Sequence, residues 1–180
     1  MIETARLRLR PWALEDRPAF GALVNTPAMM ARLGGIKSPA GIDEMFEKRL
    51  NDQANHGCTY WATELRDTGA LIGSCGIRIA SNYGPEAPIA DMPEIGWRVS
   101  ADHWGAGYAR EAAEASIAWG RSNLDASAIG AWTTIGNTRS WGLMERLGMQ
   151  RRPDLDFRLH GYPAEDPVGA MIVYTLERPQ

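Results

Sequence analysis

The sequence predicts a mixed α/β (α+β) fold, a mixed sheet with helices on both faces, on three observations. Apolar residues recur with period two in some segments and near 3.6 in others, and the two kinds alternate along the chain. The turn residues Asp67-Thr68-Gly69 stand between two strand-like runs, which makes part of the sheet antiparallel. The order β α α β β β α β α β, with room for one more strand in the tail, places both element types in one small unit.

Leu7 and Leu9 alternate with Arg6, Arg8 and Arg10. This is a half-buried strand, ended by Pro11, whose arginines read as a solvated face. A helix is expected from Asp16, with Pro18 in its first turn, Phe20, Leu23 and Val24 inward, and Pro27 as its stop. Ser38-Pro39 reads as a cap and first-turn proline ahead of Ile42, Met45, Phe46 and Leu50 on one helical face. Residues 59–65 and 70–79 form the hairpin, 81–93 an exposed loop with three prolines, and 94–99 a strand. The next helix carries Ala109, Ala112, Ala113, Ser116, Ile117 and Gly120 on one stripe. Such small residues let it lie close on the sheet. A strand at 128–134 precedes a helix capped by Asn137, with Ser140, Leu143, Met144 and Leu147 inward and Gly148 as its stop. Residues 151–167 give no clear element, and 170–176 form a last strand.

A length of 180 residues suits a single domain spanning 1–180, and 44% hydrophobic with 23% charged residues suits a packed core. Nineteen basic against 22 acidic residues give a net charge of −3, which argues against binding nucleic acid through its phosphates. Cys58 and Cys75 read as reduced, buried thiols, and no His is spaced with them for a metal. The charged N-terminal segment lacks the apolar core of a signal peptide, and no run is long enough for a membrane span. A soluble cytoplasmic protein, monomer or homodimer, is expected.

The most informative stretch is the strand 94–99, then Trp104-Gly105-Ala106-Gly107-Tyr108-Ala109, then the small-striped helix. The first amides of a helix lack internal partners and carry partial positive charge, and glycines let an anion come close. This loop reads as a phosphate cradle that needs no lysine. It lacks the Gly-Lys-Ser/Thr of a Walker loop, and only Gly105-Ala106-Gly107 matches a dinucleotide fingerprint. Taken alone, a plain tight turn explains the glycines as well.

With a second motif downstream, Asn137, Ser140, Glu145, Gly148 and Met149, the chain resembles the GNAT superfamily of acyl-CoA N-acyltransferases. Its W-G-x-G-Y-A loop is similar to that of the RimJ/RimL-like branch, as are the opening Arg6 to Pro11 and the strand carrying Ile72, Gly73 and Gly76. Trp104 stands where the wider family has Gln or Arg. The resemblance implies a mostly antiparallel sheet split beside a coenzyme A cleft. It also implies acetyl-CoA as acyl donor, no metal, and a primary amine as acceptor, either a protein N-terminus or a small molecule. The coenzyme-binding residues are then Trp97, Arg98, Val99, Trp104, Gly105, Ala106, Gly107, Tyr108, Ala109, Arg110 and Asn137.

The amine attacks the thioester directly, through a tetrahedral intermediate. A strand N–H from Trp97 or Arg98 is the candidate oxyanion donor. Glu94 is the candidate general base, acting through a water; the plainer reading is an exposed carboxylate at a strand start. The family's Tyr, seven residues after the motif Asn, is Met144 here, which leaves Ser140 as candidate acid unless the thiolate leaves unassisted. Ser140 also reads as a small packing residue, Asn137 as a helix cap, and His103 as a surface residue. Two other readings stay open, a coenzyme A-binding sensor without turnover and a Rossmann-type nucleotide enzyme.

Overall fold

The computed structural model describes residues 1–178 apart from 32, 82, 84 and 85. The chain runs β1 (Ile2–Glu3), β2 (Leu7–Arg10), α1 (Arg17–Val24), α2 (Pro27–Met30), α3 (Pro39–His56), β3 (Tyr60–Leu65) and β4 (Leu71–Ile79). It continues through β5 (Pro93–Val99), α4 (Tyr108–Asn123), β6 (Ala128–Thr133), α5 (Thr138–Arg146), β7 (Gln150–Arg151), β8 (Phe157–Arg158) and β9 (Ala170–Glu177). The strands lie in the order β1-β2-β3-β4-β5-β6-β9-β7, with β8 also against β9. Every neighbouring pair is antiparallel except β5 and β6. Those two are parallel and meet only at Glu94 opposite Gly130. Beyond that point they part, and the sheet opens toward the C-terminal end of β5.

Each face of the sheet has its own core. Leu7, Leu9, Cys75, Ile77, Ile95 and Val99 pack with Ala112, Ala113 and Ile117 of α4. Gly120 brings α4 so near that a Cβ there would strike Ile77 and Ile129. The expected stripe of small residues therefore does set the helix close to the sheet. On the opposite face Trp12, Phe20, Val24, Ile42, Phe46 and Ala62 join α1 and α3 to β3. Their rings meet edge-on or tilted, Trp12 with Phe20 at 5.1 Å and Phe20 with Phe46 at 5.3 Å. Full burial of one such ring contributes roughly 1.5–3 kcal/mol. α3 begins where expected, with Ser38 Oγ accepting from the Gly41 amide at 3.2 Å, and ends at Gly57, whose φ is +68°.

Several expectations need correction. Pro27 does not merely stop α1; it opens α2, with Thr26 Oγ1 accepting from the Met29 amide. The loop 81–93, whose positions 82, 84 and 85 lie outside the described residues, is not simply exposed. Ile89 is fully buried, and Tyr83 packs edge-on against Trp132 and Phe157. The arginine row is not a free solvated face either. Arg10 bridges Asp16 and Glu64, and Arg6 precedes β2 and folds onto α4. Both cysteines are unbridged and buried, and burial pushes the Cys58 thiol up to about 11 and that of Cys75 up to about 12.

Candidate active site

The loop before α4 has the geometry of an anion cradle. Gly105 has φ +79° and Gly107 has φ +83°, the left-handed region that residues with a Cβ enter at a cost. A Cβ on Gly105 would meet nothing within 4 Å, and one on Gly107 would meet only Arg6 Nη2 at 3.5 Å. The space over the loop is open. The first intrahelical bond runs from the Glu111 amide to the Gly107 carbonyl, and no side chain caps this end. The amides of Tyr108, Ala109 and Arg110 therefore lie ahead of the ladder, without helical acceptors. Open space over the glycines, aligned amides and the positive end of a 16-residue helix suit a phosphate group.

Arg6 braces this loop, a role that the sequence reading missed. Its Nη1 donates to the Ala106 carbonyl at 2.9 Å, its guanidinium lies 4.5 Å from the Tyr108 ring centre, and its Nε donates to Glu111 at 2.6 Å. Glu111 also accepts from Thr4 Oγ1 and the Arg6 amide. Burial works to raise the Glu111 carboxyl, but these hydrogen bonds outweigh it and hold the group below its ordinary range. Trp104 is exposed, donates from Nε1 to the Val99 carbonyl at 2.7 Å, and carries the Arg139 guanidinium 4.7 Å from its ring. Ala109 packs on the core, while the Arg110 side chain turns along the helix to Glu114 and leaves only main chain facing the loop. His103 makes a local contact with Ser100 at 2.7 Å.

The free edge of β5 lies beside the cradle. Ser100 donates its amide to Ile72 of β4, whereas Trp104 reaches the Val99 carbonyl from the opposite side. Strand residues alternate in the edge they serve. Val99 and Trp97 thus turn their main-chain groups toward the gap, and Arg98, in register with Ser74, turns its own toward β4. Of the two candidate donors, the Trp97 N–H faces the gap and that of Arg98 does not.

Glu94 starts β5 where it meets β6, yet it is only 7% exposed, so the reading of a solvated carboxylate fails. Arg78 of β4 holds it at 2.5 Å and donates to the Tyr83 hydroxyl at 2.9 Å, which also accepts from Trp132 Nε1 at 3.0 Å. Gly96 leaves room for the Tyr60 ring, which a Cβ there would strike. The Tyr60 hydroxyl lies buried near Glu94 without completing a hydrogen bond. Burial, then the charge of Glu94, pushes its phenol well above the usual value and keeps it neutral. Glu94, Gly96 and Arg98 share the face of β5 turned away from α4.

Asn137 does not cap α5 with its side chain as expected. Its Nδ2 donates instead to Thr133 Oγ1 at 2.9 Å, tying the helix start to the end of β6. Ser140 sits partly buried in the first turn of α5. Met144 is 2% exposed within the core. Among the described residues, no group of three His, Cys, Asp or Glu side chains is placed to hold a metal, and no helix is long and apolar enough to cross a membrane.

The sequence pattern of the Acetyltransferase (GNAT) domain matches residues 6–150. The chain belongs to the GNAT acetyltransferase family. It is 32% identical over 151 residues to the uncharacterized protein YkkB of Bacillus subtilis (strain 168), covering 82% of this chain and 84% of that one. The acetyltransferase from Agrobacterium tumefaciens str. C58 superposes with a TM-score of 0.78 at 29% identity, over 98% of this chain and 94% of the other. The spermidine N-acetyltransferase from Vibrio cholerae, solved with CoA and spermine, shares the fold at TM-score 0.70 and 15% identity, over 97% of this chain and 96% of that one. The fold is therefore the mixed GNAT sheet, mostly antiparallel with one parallel pair, and the protein is a GNAT-family acyltransferase.

Proposed function

We propose that this GNAT enzyme is an N-acetyltransferase of the RimJ/RimL-like branch that moves an acetyl group from acetyl-CoA to a primary amine. The observation that carries the reading is the open, doubly glycine-bent loop at the start of α4, set beside the parting of β5 and β6. In this reading the amides from Gly105 to Arg110 hold the pyrophosphate, and Arg6 adds positive charge at the rim. The main chain of Trp97 and Val99 pairs with the pantetheine arm, and Trp104 and Asn137 stand at the walls of the gap. The acetyl thioester comes to rest near Glu94.

The amine nitrogen bonds to the thioester carbonyl carbon, the carbon–sulfur bond breaks, and coenzyme A departs as the thiolate. The Trp97 amide stabilises the oxyanion formed on the way. Glu94, oriented by Arg78, takes the proton that the amine sheds and passes it to solvent through water. With Met144 buried where the family has Tyr, the thiolate takes its proton from Ser140 or from solvent; a thiol of ordinary pKa near ~8.5 is a tolerable leaving group. The same methionine favours one rival reading, a coenzyme A sensor that binds without turnover. Release of free thiol from acetyl-CoA across a panel of amines separates the two. Amine-dependent release supports the enzyme; tight acetyl-CoA binding with no release on any amine supports the sensor.

A further inference from the structure

The face of the sheet opposite α4 holds more buried positive charge than it neutralises. Arg49 of α3 is 7% exposed, stacks 4.6 Å from the Tyr60 ring, and its Nε has no hydrogen-bond partner. Arg98 of β5 turns toward the same cluster, is partly exposed, and leaves Nη1 unpartnered. Arg78 completes the group but is committed to Glu94 and Tyr83. The other nearby carboxylate, Asp52, is bonded through Oδ1 to Lys48 and keeps Oδ2 buried without a hydrogen-bond partner, so it offsets at most one of these positive charges. Burial, and then the proximity of Arg98, pulls the Arg49 guanidinium down to about 10, and burial lowers Arg98 as well. Arg49 is buried and Arg98 half-buried, both keep idle donors, and among the described residues neither is salt-bridged to a carboxylate, an arrangement that is costly unless an anion joins them.

They sit where an acceptor would sit. Arg98 lies four residues beyond Glu94 on the same face of the strand that lines the gap. On the outer side of α3, by contrast, Asp43 and Glu47 are already engaged by Arg17. The unmet charge near Glu94 is therefore cationic, the wrong sign for a polyamine.

Resting on the acetyl-transfer reading above, we propose that the acceptor is a small amine bearing its own carboxylate, an α-amino acid, whose anion is received by Arg98 and Arg49 while its nitrogen faces Glu94. Guanidinium forks suit carboxylates because their donors pair with both oxygens at once. The bonds made and broken are those of the transfer already described, and the carboxylate is unchanged by it.

The test compares the twenty α-amino acids with their carboxamides, and with spermidine, in the thiol-release assay. At least one acid should exceed its own amide in kcat/KM by about 10- to 100-fold, the worth of a hydrogen-bonded charge pair. In Arg49→Met that ratio should fall toward one while acetyl-CoA titrates as in wild type. That variant should also melt at the wild-type temperature or above it, because it removes an uncompensated buried charge; a merely structural arginine would lower it. The preferred acid should raise the melting temperature of wild type and not that of Arg49→Met, a readout that stands even without turnover. Acids no better than their amides in both rate and melting shift, or spermidine preferred over every acid, would overturn the assignment while leaving acetyl transfer intact. Absent acetyl-CoA binding would instead overturn the reading beneath it.

Discussion

On the α4 side of the sheet the site is made of main chain, glycine and small residues; on the α1/α3 side it is made of buried side-chain charge. In the proposed reading the donor is held by Gly105, Gly107 and the first amides of α4, with Arg6 bonded to Ala106 from outside. The acceptor is then met by the cluster of Glu94, Arg78, Tyr60, Arg49 and Arg98. Backbone amides cost little to align because the helix aligns them already. Buried charges stay in place only where geometry or a ligand compensates them. On this proposal a bend in the chain suffices to hold the donor, while acceptor choice rests with a few side chains.

The largest effect should come from Glu94→Gln. Loss of the base should lower kcat by about 10²- to 10⁴-fold and leave the acetyl-CoA titration unchanged, as steady-state rates and calorimetry will show. If donor binding collapses with it, the two faces are not separable. Next, Phe46→Ala should cost about 3–5 kcal/mol of stability, since the ring is fully buried beneath α3. Denaturant unfolding measures the loss, and below the transition the donor affinity should be unaltered.

Arg6→Gln should act on the other face. It removes a charged bond to the loop carbonyl and one to Glu111, so KM for acetyl-CoA should rise about tenfold while the acceptor KM holds. The smallest effect concerns acid. The folded Glu111 carboxyl lies below its unfolded value, so it adds stability above the unfolded pKa near ~4.3 that is lost as pH falls through the folded value. Melting temperature should therefore fall less steeply below about pH 5 in Glu111→Gln than in wild type.

The same contrast explains what the sequence made legible. The left-handed bends at Gly105 and Gly107 could be read because glycine enters that region freely, although the glycines alone do not separate a cradle from a tight turn; the small stripe from Ala109 to Gly120 states how closely α4 must lie. The hairpin, α3 with its Ser38 cap, and the strands on either side of the gap follow from period and turn chemistry in the same way. Arg6 escaped notice because alternation with Leu7 and Leu9 makes it look like a solvated strand residue, although it falls before β2 and folds back on α4. Glu94 was legible as a carboxylate at the start of β5 but not as a buried one. Its burial depends on Arg78 and Tyr83, and the latter sits in a proline-bearing stretch whose period reveals nothing. Asn137 was read as a cap from residue type alone, but its side-chain oxygen accepts no helix amide, and its Nδ2 donates to the Thr133 hydroxyl. Arg49 of α3 and Arg98 of β5 come together beside Tyr60 through tertiary packing, which no local pattern encodes.

In the proposed reading, bare amides between Gly105 and Arg110 hold the phosphates of the acyl donor. Calorimetric titration of acetyl-CoA into wild type and Gly107→Val is the decisive comparison. A valine there must adopt φ near +83° and fill the open space over the loop, at a strain of about 1–3 kcal/mol that a 180-residue fold tolerates. Wild type should bind one equivalent with measurable heat, and the folded variant should give none. Equal heats in the two proteins, or silence in wild type, would contradict the account.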